Sequence, residues 1–339
     1  MKCREEMRMD YVALRREVMV RGLLERQYGY YALKIVTTLL MLCMAVGLLF
    51  WFSSIWLQLL AIVGIAFSLM QVGLLGHDAG HQAIFKSSRW NDCFGHLFMT
   101  VLVGLPYRYW VDRHSRHHAN PNEDEDPDFA VFALTEEVMR RKKGIPKFMA
   151  RRQHTLFVPI TSYFLFEMFK LGFVYNIRLR NCRAKWVELF MIGFHAALFW
   201  AAPFFLFAWW KALIIVLGVP MLWGVYFGSI VATNHKGMKV MEEDEQLDFV
   251  EKQVLTTRNV RSGLVVDFVY GGLNYQIEHH LFPTMPRNNF KKCKALVMQF
   301  CKENGLPYVE TGVFRSYRII LGELRKVAKS RPARASLVA

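Results

Sequence analysis

The feature that most constrains the fold of this chain is a stretch of 42 residues without a charged side chain, residues 35–76. At about 1.5 Å of rise per residue, a helical stretch of this length would cross a hydrocarbon layer of about 30 Å twice. Ser53 and Ser54 lie near its middle between two tryptophans, and tryptophan is enriched at the membrane–water interface. The stretch therefore predicts two membrane-spanning helices, near residues 35–52 and 55–75.

A second pair of charge-free stretches, residues 189–210 and 212–235, is interrupted only by Lys211 and predicts a second hairpin of spans. Buried core helices of a soluble protein are the alternative, but two long apolar hairpins in one chain are typical of a membrane protein. We therefore predict an all-α integral membrane protein with four transmembrane helices in two hairpins and a cytosolic helical cap.

The spans divide one predicted domain, residues 1–339, into five segments. In chain order these are an amphipathic N-terminal arm (1–34), a transmembrane hairpin (35–75), a first cap segment (76–185), a second hairpin (189–235) and a second cap segment (236–339). Apolar residues at helical spacing in the arm predict a helix on the membrane surface. The many charged residues before the first apolar stretch do not resemble a secretory signal.

Positive charge predicts the orientation. Of the 43 lysines and arginines, all but Lys211 lie in segments that four spans place on one side of the membrane. The positive-inside rule makes that side cytoplasmic, together with both termini. Anionic lipid headgroups account for the net charge of +15 without a nucleic-acid partner, and an acidic electron carrier would also suit it.

One apolar segment, residues 156–173, is expected to stay out of the bilayer centre. It contains Glu167 and Lys170, and both charges would be costly at mid-membrane. We expect an interfacial helix there rather than a fifth span.

Eight of the eleven histidines fall into groups at the cytosolic ends of predicted elements. Within each of three groups the spacing is i, i+4 or i, i+3, i+4, which places the side chains on one face of a helix. The members are His77 and His81 in the first group, His114, His117 and His118 in the second, His279 and His280 with Gln276 in the third, and His235 at the end of the last span. The other histidines, at 96, 154 and 195, are interpreted as structural.

Histidine is the commonest metal ligand among side chains. Eight imidazoles exceed the four ligands of one zinc ion and suit two metals with open positions. The ligand type fits iron, zinc or copper. Cysteine ligation is not expected, because the six cysteines form no C-x-x-C pair.

The three groups read "HDAGH", "HSRHHANPNEDEDPD" and "QIEHHLFP". Together they resemble the histidine boxes of the membrane-bound fatty acid desaturases, and Asn122, Asp126, Pro127 and Asp128 after the second box are also similar to that family. The resemblance implies two iron ions, dioxygen as co-substrate and insertion of a cis double bond into a fatty acyl chain. It implies that the ligands are His77, His81, His114, His117, His118, His279 and His280, with His235 matching a further ligand by position only.

Gln276 occupies the first place of the third box. A glutamine there resembles the front-end desaturases, which act between an existing double bond and the carboxyl end of the chain (delta-5 or delta-6-like activity). Its carbonyl oxygen could coordinate iron, or its amide could hydrogen-bond to a ligand. The sequence leaves both roles open.

Three carboxylates lie in or beside the boxes: Asp78, Asp126 and Glu278. Metal-binding histidines usually donate their second ring N–H to such a group. We therefore expect these carboxylates to orient imidazoles.

The resemblance implies a fatty acyl lipid or an acyl thioester as substrate. The sequence contains neither a His-Pro-Gly-Gly haem motif nor a Gly-x-Gly-x-x-Gly fingerprint, so electrons are expected from an external carrier, ferredoxin or cytochrome b5. The nearest alternative is a lipid or carotenoid hydroxylase or ketolase of the same superfamily. A metal-binding membrane protein without catalysis is the other alternative.

Overall fold

Helices make up most of the structure. The structure is a computed structural model that describes residues 4–123, 126–127, 132–241, 245 and 247–330, with the backbone alone for 4–9. The α-helices within those ranges are, in chain order, α1 (Arg4–Val20), α2 (Tyr28–Trp51), α3 (Ile55–Gly80), α4 (Ser88–Gly95), α5 (Tyr107–Ala119), α6 (Glu136–Arg141), α7 (Gly144–Ala150), α8 (Phe157–Arg178), α9 (Arg183–His195), α10 (Ala202–Leu206), α11 (Trp209–His235), α12 (Phe249–Thr256), α13 (Leu264–Tyr270), α14 (Gln276–Leu281), α15 (Phe290–Glu303) and α16 (Val313–Lys329).

Shorter elements connect these helices. Two π-helical segments, His96–Val103 and Ala196–Ala201, continue α4 and α9 without a break. Two short strands, β1 (Asn259–Val260) and β2 (Glu310–Thr311), pair in parallel. A 3₁₀ turn, Arg287–Asn289, leads into α15.

Both predicted hairpins are present as helical pairs. The first consists of α2 and α3, and the chain breaks between them at Phe52, where the backbone is extended. The second consists of the continuous helix Arg183–Leu206 and α11. These four helices and α8 are long and apolar enough to cross a membrane within the described ranges. The chain is therefore a membrane protein.

The helix α8 covers the segment that the sequence predicts to be interfacial. It has 22 residues, and by length and composition it is a candidate span. Its two central charges, Glu167 and Lys170, form an ion pair with each other at 2.7 Å. The four-span arrangement consequently stays a prediction.

Part of the apolar face of the N-terminal helix α1 packs against the protein. Leu14 and Val18 are buried in a cluster with Ile277 and Leu281 of α14 and Val297 of α15. The helical spacing of the apolar residues is as predicted. Val12 of the same helix is 56% exposed, so the position of α1 on the membrane surface stays a prediction. An amphipathic pattern does not show whether the protein or the membrane covers a helix, since both can bind an apolar stripe.

Small residues let α8 and α11 pack closely. A Cβ atom at Gly224 would lie 2.5 Å from the carbonyl oxygen of Thr161, and one at Gly228 would lie 2.6 Å from the Thr161 Cγ2 atom. Small residues four apart allow the backbones of neighbouring membrane helices to approach. The contact places Thr161 of α8 two to three turns from His235, at the end of α11.

We expect Gly224→Ala to destabilise the protein by about 1–3 kcal/mol, because the added methyl group meets backbone that cannot rotate away. Thermal unfolding in detergent would measure the loss. Gly193→Ala is the matched control, since a Cβ atom at Gly193 meets nothing within 4 Å. Equal unfolding temperatures for the two variants would contradict this packing.

Candidate metal centre

Four elements bring the predicted ligands together. The last turn of α3 carries His77, and His81 follows directly as its C-terminal cap. The second box lies on α5, His235 is the last residue of α11, and the third box lies on α14. Gly80 lets α5 approach α3, since a Cβ atom there would lie 2.3 Å from the Trp110 ring.

The first cluster, which we call cluster A, consists of His77, His81, His114 and His279. One ring nitrogen from each lies within 4.8 Å of the others. The closest pair is His81 and His114, whose Nε2 atoms are 2.9 Å apart. The indole ring of Trp110 stacks on the His114 ring with centroids 4.6 Å apart and forms a wall of the cluster.

The second cluster, which we call cluster B, consists of His117, His235 and His280, all buried. The Nε2 atoms of His117 and His235 are 3.3 Å apart. His235, which was predicted from its place at the mouth of a span, thus lies beside members of the second and third boxes.

His118 links the two clusters. Its Nε2 atom lies 3.1 Å from the Nε2 atoms of both His114 and His279 in cluster A. Its ring stacks on the His280 ring of cluster B with centroids 4.2 Å apart. All eight predicted histidines therefore meet in one continuous group.

Burial favours the neutral form of five of these imidazoles. It lowers the pKa of His81, His114, His118, His279 and His280 well below the ordinary value, and the neighbouring imidazoles lower the pKa further. Neutral imidazole is the form that binds metals.

Hydrogen bonds to Nδ1 atoms turn several Nε2 atoms toward the clusters. The Nδ1 atom of His117 lies 3.0 Å from the Asp126 carboxylate, and the Nδ1 atom of His280 lies 2.6 Å from the Gln253 side-chain oxygen. The Nδ1 atom of His77 lies 3.3 Å from Asp78. An Nδ1–H donated to each oxygen leaves the Nε2 lone pair free for a metal.

Asp126 is held in position as a charged acceptor. Burial alone would raise its pKa, but the nearby His117 ring and the hydrogen bond to it hold the pKa of Asp126 below its usual range. The backbone N–H of Asn122 also donates to Asp126 at 2.9 Å. The Asn122 side chain donates in turn to the His235 carbonyl, which ties the loop after α5 to α11. Asp128 lies outside the described residues.

Asp78 belongs to a buried network that the sequence did not indicate. Arg287, from the 3₁₀ turn after the third box, donates through Nε to Asp78 and through Nη2 to the Leu74 carbonyl. The Tyr31 hydroxyl donates to the same Asp78 oxygen at 2.8 Å. The Asp78 carboxylate therefore connects His77 with an arginine more than 200 positions away along the chain.

Glu278 does not take the expected role of orienting an imidazole. Its carboxylate accepts hydrogen bonds from the Asn259 amide and the Tyr308 hydroxyl, each at 2.7 Å. One helical step of about 100° separates Glu278 from His279, and Glu278 faces Asn259 of β1. It fixes the third box through the backbone of α14 instead.

Gln276 presents its amide nitrogen to cluster B. Its Nε2 atom lies 2.9 Å from the His235 Nε2 atom. Its oxygen accepts from the Asn234 amide at 2.9 Å, and the same Asn234 amide group is fixed by the Leu273 carbonyl. In this orientation, assigned from the hydrogen-bond network, the Gln276 oxygen is turned to Asn234 and away from cluster B.

The donor set fits metal ions. The Nε2 atoms of His77 and His280 are buried, and neither has a hydrogen-bond partner within the described part of the chain. Buried nitrogens that face other nitrogens at about 3 Å cannot all be satisfied by donating to one another, because a neutral imidazole has a single N–H. The remaining three histidines lie apart from both clusters; the Nδ1 atom of His195, for example, lies 2.9 Å from the Val101 carbonyl.

Known proteins with similar sequences carry a common description. A family model described as fatty acid desaturase matches residues 53–312. The chain is 26% identical to an acyl-lipid (9-3)-desaturase of Physcomitrium patens, over 96% of this chain and 64% of that protein. It is 31% identical to a fatty acid desaturase 2-like protein of Mus musculus, over 94% of this chain and 66% of that protein. It is 29% identical to a delta(6)-fatty-acid desaturase of Caenorhabditis elegans, over 96% of this chain and 76% of that protein.

The chain thus spans about two thirds of the length of the first two of these relatives. The family model covers most of the chain, including α3, α8, α11 and all three histidine boxes. The chain belongs to the fatty acid desaturase family.

Proposed function

We propose that this protein is a fatty acid desaturase that inserts a cis double bond into a membrane-associated fatty acyl chain. The observation that carries the proposal is the convergence of eight histidines from four elements on clusters A and B, in a chain of this family. Removing two hydrogens from adjacent methylenes with dioxygen and two electrons gives the double bond and two water molecules, with two protons taken up.

The histidines would hold two iron ions. Cluster A, with His118 beside it, would hold one ion, and cluster B the other. Bound iron would supply the oxygen chemistry that an unactivated methylene requires. The chain itself keeps the imidazoles neutral, fixes their tautomers through Asp126 and Gln253, and screens the clusters with Trp110.

Regiochemistry of the front-end type is part of this proposal. The relatives are named for delta(6), delta(8) and (9-3) desaturation, and Gln276 replaces histidine at the start of the third box. The Gln276 side chain would border cluster B beside His235, with Asn234 fixing its orientation. The proposal also includes ferredoxin or cytochrome b5 as the electron donor.

The proposed topology has four spans with the clusters on the cytoplasmic face. Both ends of α8 contact parts of the cap, which supports an interfacial position for this helix. Phe157, at its start, contacts Tyr317 of α16 at 6.3 Å between ring centroids. Gly172, near its end, packs against Pro106 at the start of α5.

Expression in a host that lacks polyunsaturated lipids, fed with defined fatty acids, tests the activity. We expect a new cis double bond, located by mass spectrometry, between an existing double bond and the carboxyl end. A hydroxylated product without a new double bond would favour the hydroxylase alternative and overturn the proposal. Iron binding without oxygen consumption, with donor and substrate supplied, would favour the non-catalytic alternative.

We expect Asp126→Asn to lower iron affinity by about 10–100-fold, the usual effect of removing a carboxylate that orients a metal-binding histidine. The amide keeps the shape but loses the charge, and its NH₂ group cannot accept from Asn122 while its oxygen faces His117. Iron content of the purified protein against added chelator would measure the affinity. Asp112→Asn is the control, because Asp112 pairs with Arg116 on the exposed face of α5; similar iron retention in both variants would contradict the role of Asp126.

A further inference from the structure

An exposed apolar surface lies where α13 and α16 leave the β1–β2 pair. We call it the wedge face, and its large apolar side chains are Leu264, Val265, Phe268 and Phe314. Leu264 is 90% exposed and Phe314 is 87% exposed. Single exposed apolar residues are common on protein surfaces, but here the pairing of β1 with β2 brings the starts of α13 and α16 together, and a group of exposed apolar side chains marks an interaction surface.

The two helices of the wedge face form one rigid unit. β1 pairs with β2, and the backbone N–H of Arg261 donates to the Thr311 carbonyl at 2.8 Å just before the helices begin. On the inner side, Val266 and Val313 pack against the same hydrophobic core. The outer side chains therefore keep a fixed position relative to the spans.

Contacts with three candidate spans fix the depth of the wedge face. The Lys34 Nζ atom of α2 lies 4.6 Å from the centroid of the Phe268 ring. In α3, Gln71 donates to the Phe268 carbonyl at 3.2 Å. In α11, Tyr226 donates to the Val269 carbonyl at 2.5 Å.

Lys34 is the last charged residue before the 42-residue charge-free stretch. Its ammonium group therefore marks the edge of the apolar layer, and Phe268 lies at that edge. The wedge face therefore adjoins α2 at the end of its charge-free stretch, which is where a span is expected to meet the headgroups.

Positive charge surrounds the wedge face. Arg261, Arg315 and Arg318 are exposed, and within the described part of the chain none of the three side chains forms an ion pair. Phe314, Arg315 and Arg318 lie within two turns of α16 and border one open surface depression. An arginine fork matches the geometry of a phosphate group, and an aromatic ring beside it suits the upper part of an acyl chain.

We propose that the wedge face is inserted in the leaflet that borders the histidine clusters and binds anionic phospholipid. Leu264, Val265 and Phe314 lie among the acyl chains, and the arginines contact the phosphodiester headgroups. A second copy of this chain is a poorer occupant, because a symmetric contact would bring the three arginines of each copy together. The proposal does not depend on the catalytic activity.

Fluorescence quenching in lipid nanodiscs tests the insertion. The background variant removes cysteines that could compete for the label. Serine replaces the exposed Cys43, Cys93 and Cys182, and it also replaces Cys3. A fluorophore is then attached at Leu264→Cys, and the matched control is Gln299→Cys on the exposed side of α15, which packs on α1 and α14.

We expect a lipid-borne nitroxide to quench the label at 264 and aqueous iodide to quench the label at 299. Iodide quenching of both labels to the same extent would overturn the proposal. Shielding of the label at 264 from both quenchers would also overturn it, since a protein surface would then cover the wedge face.

Headgroup binding is tested separately. In nanodiscs of phosphatidylcholine with added phosphatidylglycerol, mass spectrometry of the intact protein would count retained anionic lipid. We expect about a fivefold weaker retention for each of Arg315→Gln and Arg318→Gln. Arg325→Gln, about 10 Å beyond Arg318 along α16, removes the same charge away from the wedge face and should leave retention unchanged. Equal retention in all three variants would overturn the arginine assignment.

Discussion

His118→Ala is expected to abolish the double-bond product and to remove most of the iron from the purified protein. His118 is the histidine that contacts both clusters: it lies 3.1 Å from two cluster A nitrogens and stacks on His280 of cluster B. Its loss therefore affects both metal positions at once. We expect the effect to exceed the 10–100-fold that is typical for residues that only orient ligands.

The matched control is His154→Ala, a substitution of the same kind at a histidine outside both clusters. Elemental analysis of the purified variants gives the iron content, and lipid analysis of the expression host gives the product. The metal-free fold should survive His118→Ala, because the substitution relieves the close approach of ring nitrogens. Retained iron together with retained product would contradict the assignment of His118, and unchanged thermal unfolding of the metal-free protein would show that the loss is local.

Arg287→Gln is expected to destabilise the protein by roughly 3–5 kcal/mol, the usual cost of leaving one partner of a buried ion pair alone. Arg287 and Asp78 are both buried, and the arginine joins Asp78 to the Leu74 carbonyl. The substitution leaves the Asp78 carboxylate with Tyr31 and His77 only. His77 should lose its fixed orientation, so iron affinity should fall as well.

A double-mutant cycle separates the ion pair from general damage. Asp78→Asn combined with Arg287→Gln should be less destabilising than the sum of the two single variants, because no unpaired charge remains. Lys170→Gln, which breaks the exposed ion pair with Glu167, should leave thermal unfolding unchanged. Strict additivity of Asp78→Asn and Arg287→Gln would contradict the coupling between the first box and the turn after the third.

The two hairpins and the histidine groups could be predicted from sequence because both are local patterns. A charge-free stretch and a histidine spacing of three or four residues need no knowledge of the rest of the chain. The π-helical segments were not predicted, and neither was the burial of the α1 apolar face against α14 and α15. An apolar stripe has the same pattern whether lipid or protein covers it.

The residues around the clusters also include some that a sequence motif indicated and some that it did not. Asp126 follows the second box by eight residues and was predicted to orient an imidazole, and it lies 3.0 Å from His117. Gln253 and Arg287 carry no motif, and each reaches its partner from a distant part of the chain. Glu278 was assigned an orienting role from its place inside a box, but its direction depends on the rotation of α14.

The sequence by itself determined which side chains are available for a metal centre, which stretches are apolar enough for a membrane, and the family resemblance. These properties reside in residue type and in spacing along single helices. Tertiary structure decided how the histidines divide into clusters A and B, that His118 joins them, that the Gln276 amide nitrogen faces His235, and that Arg287 supports the first box. Each of these depends on how α3, α5, α11 and α14 pack together, because the direction of a side chain between helices follows from packing and not from its place in the chain.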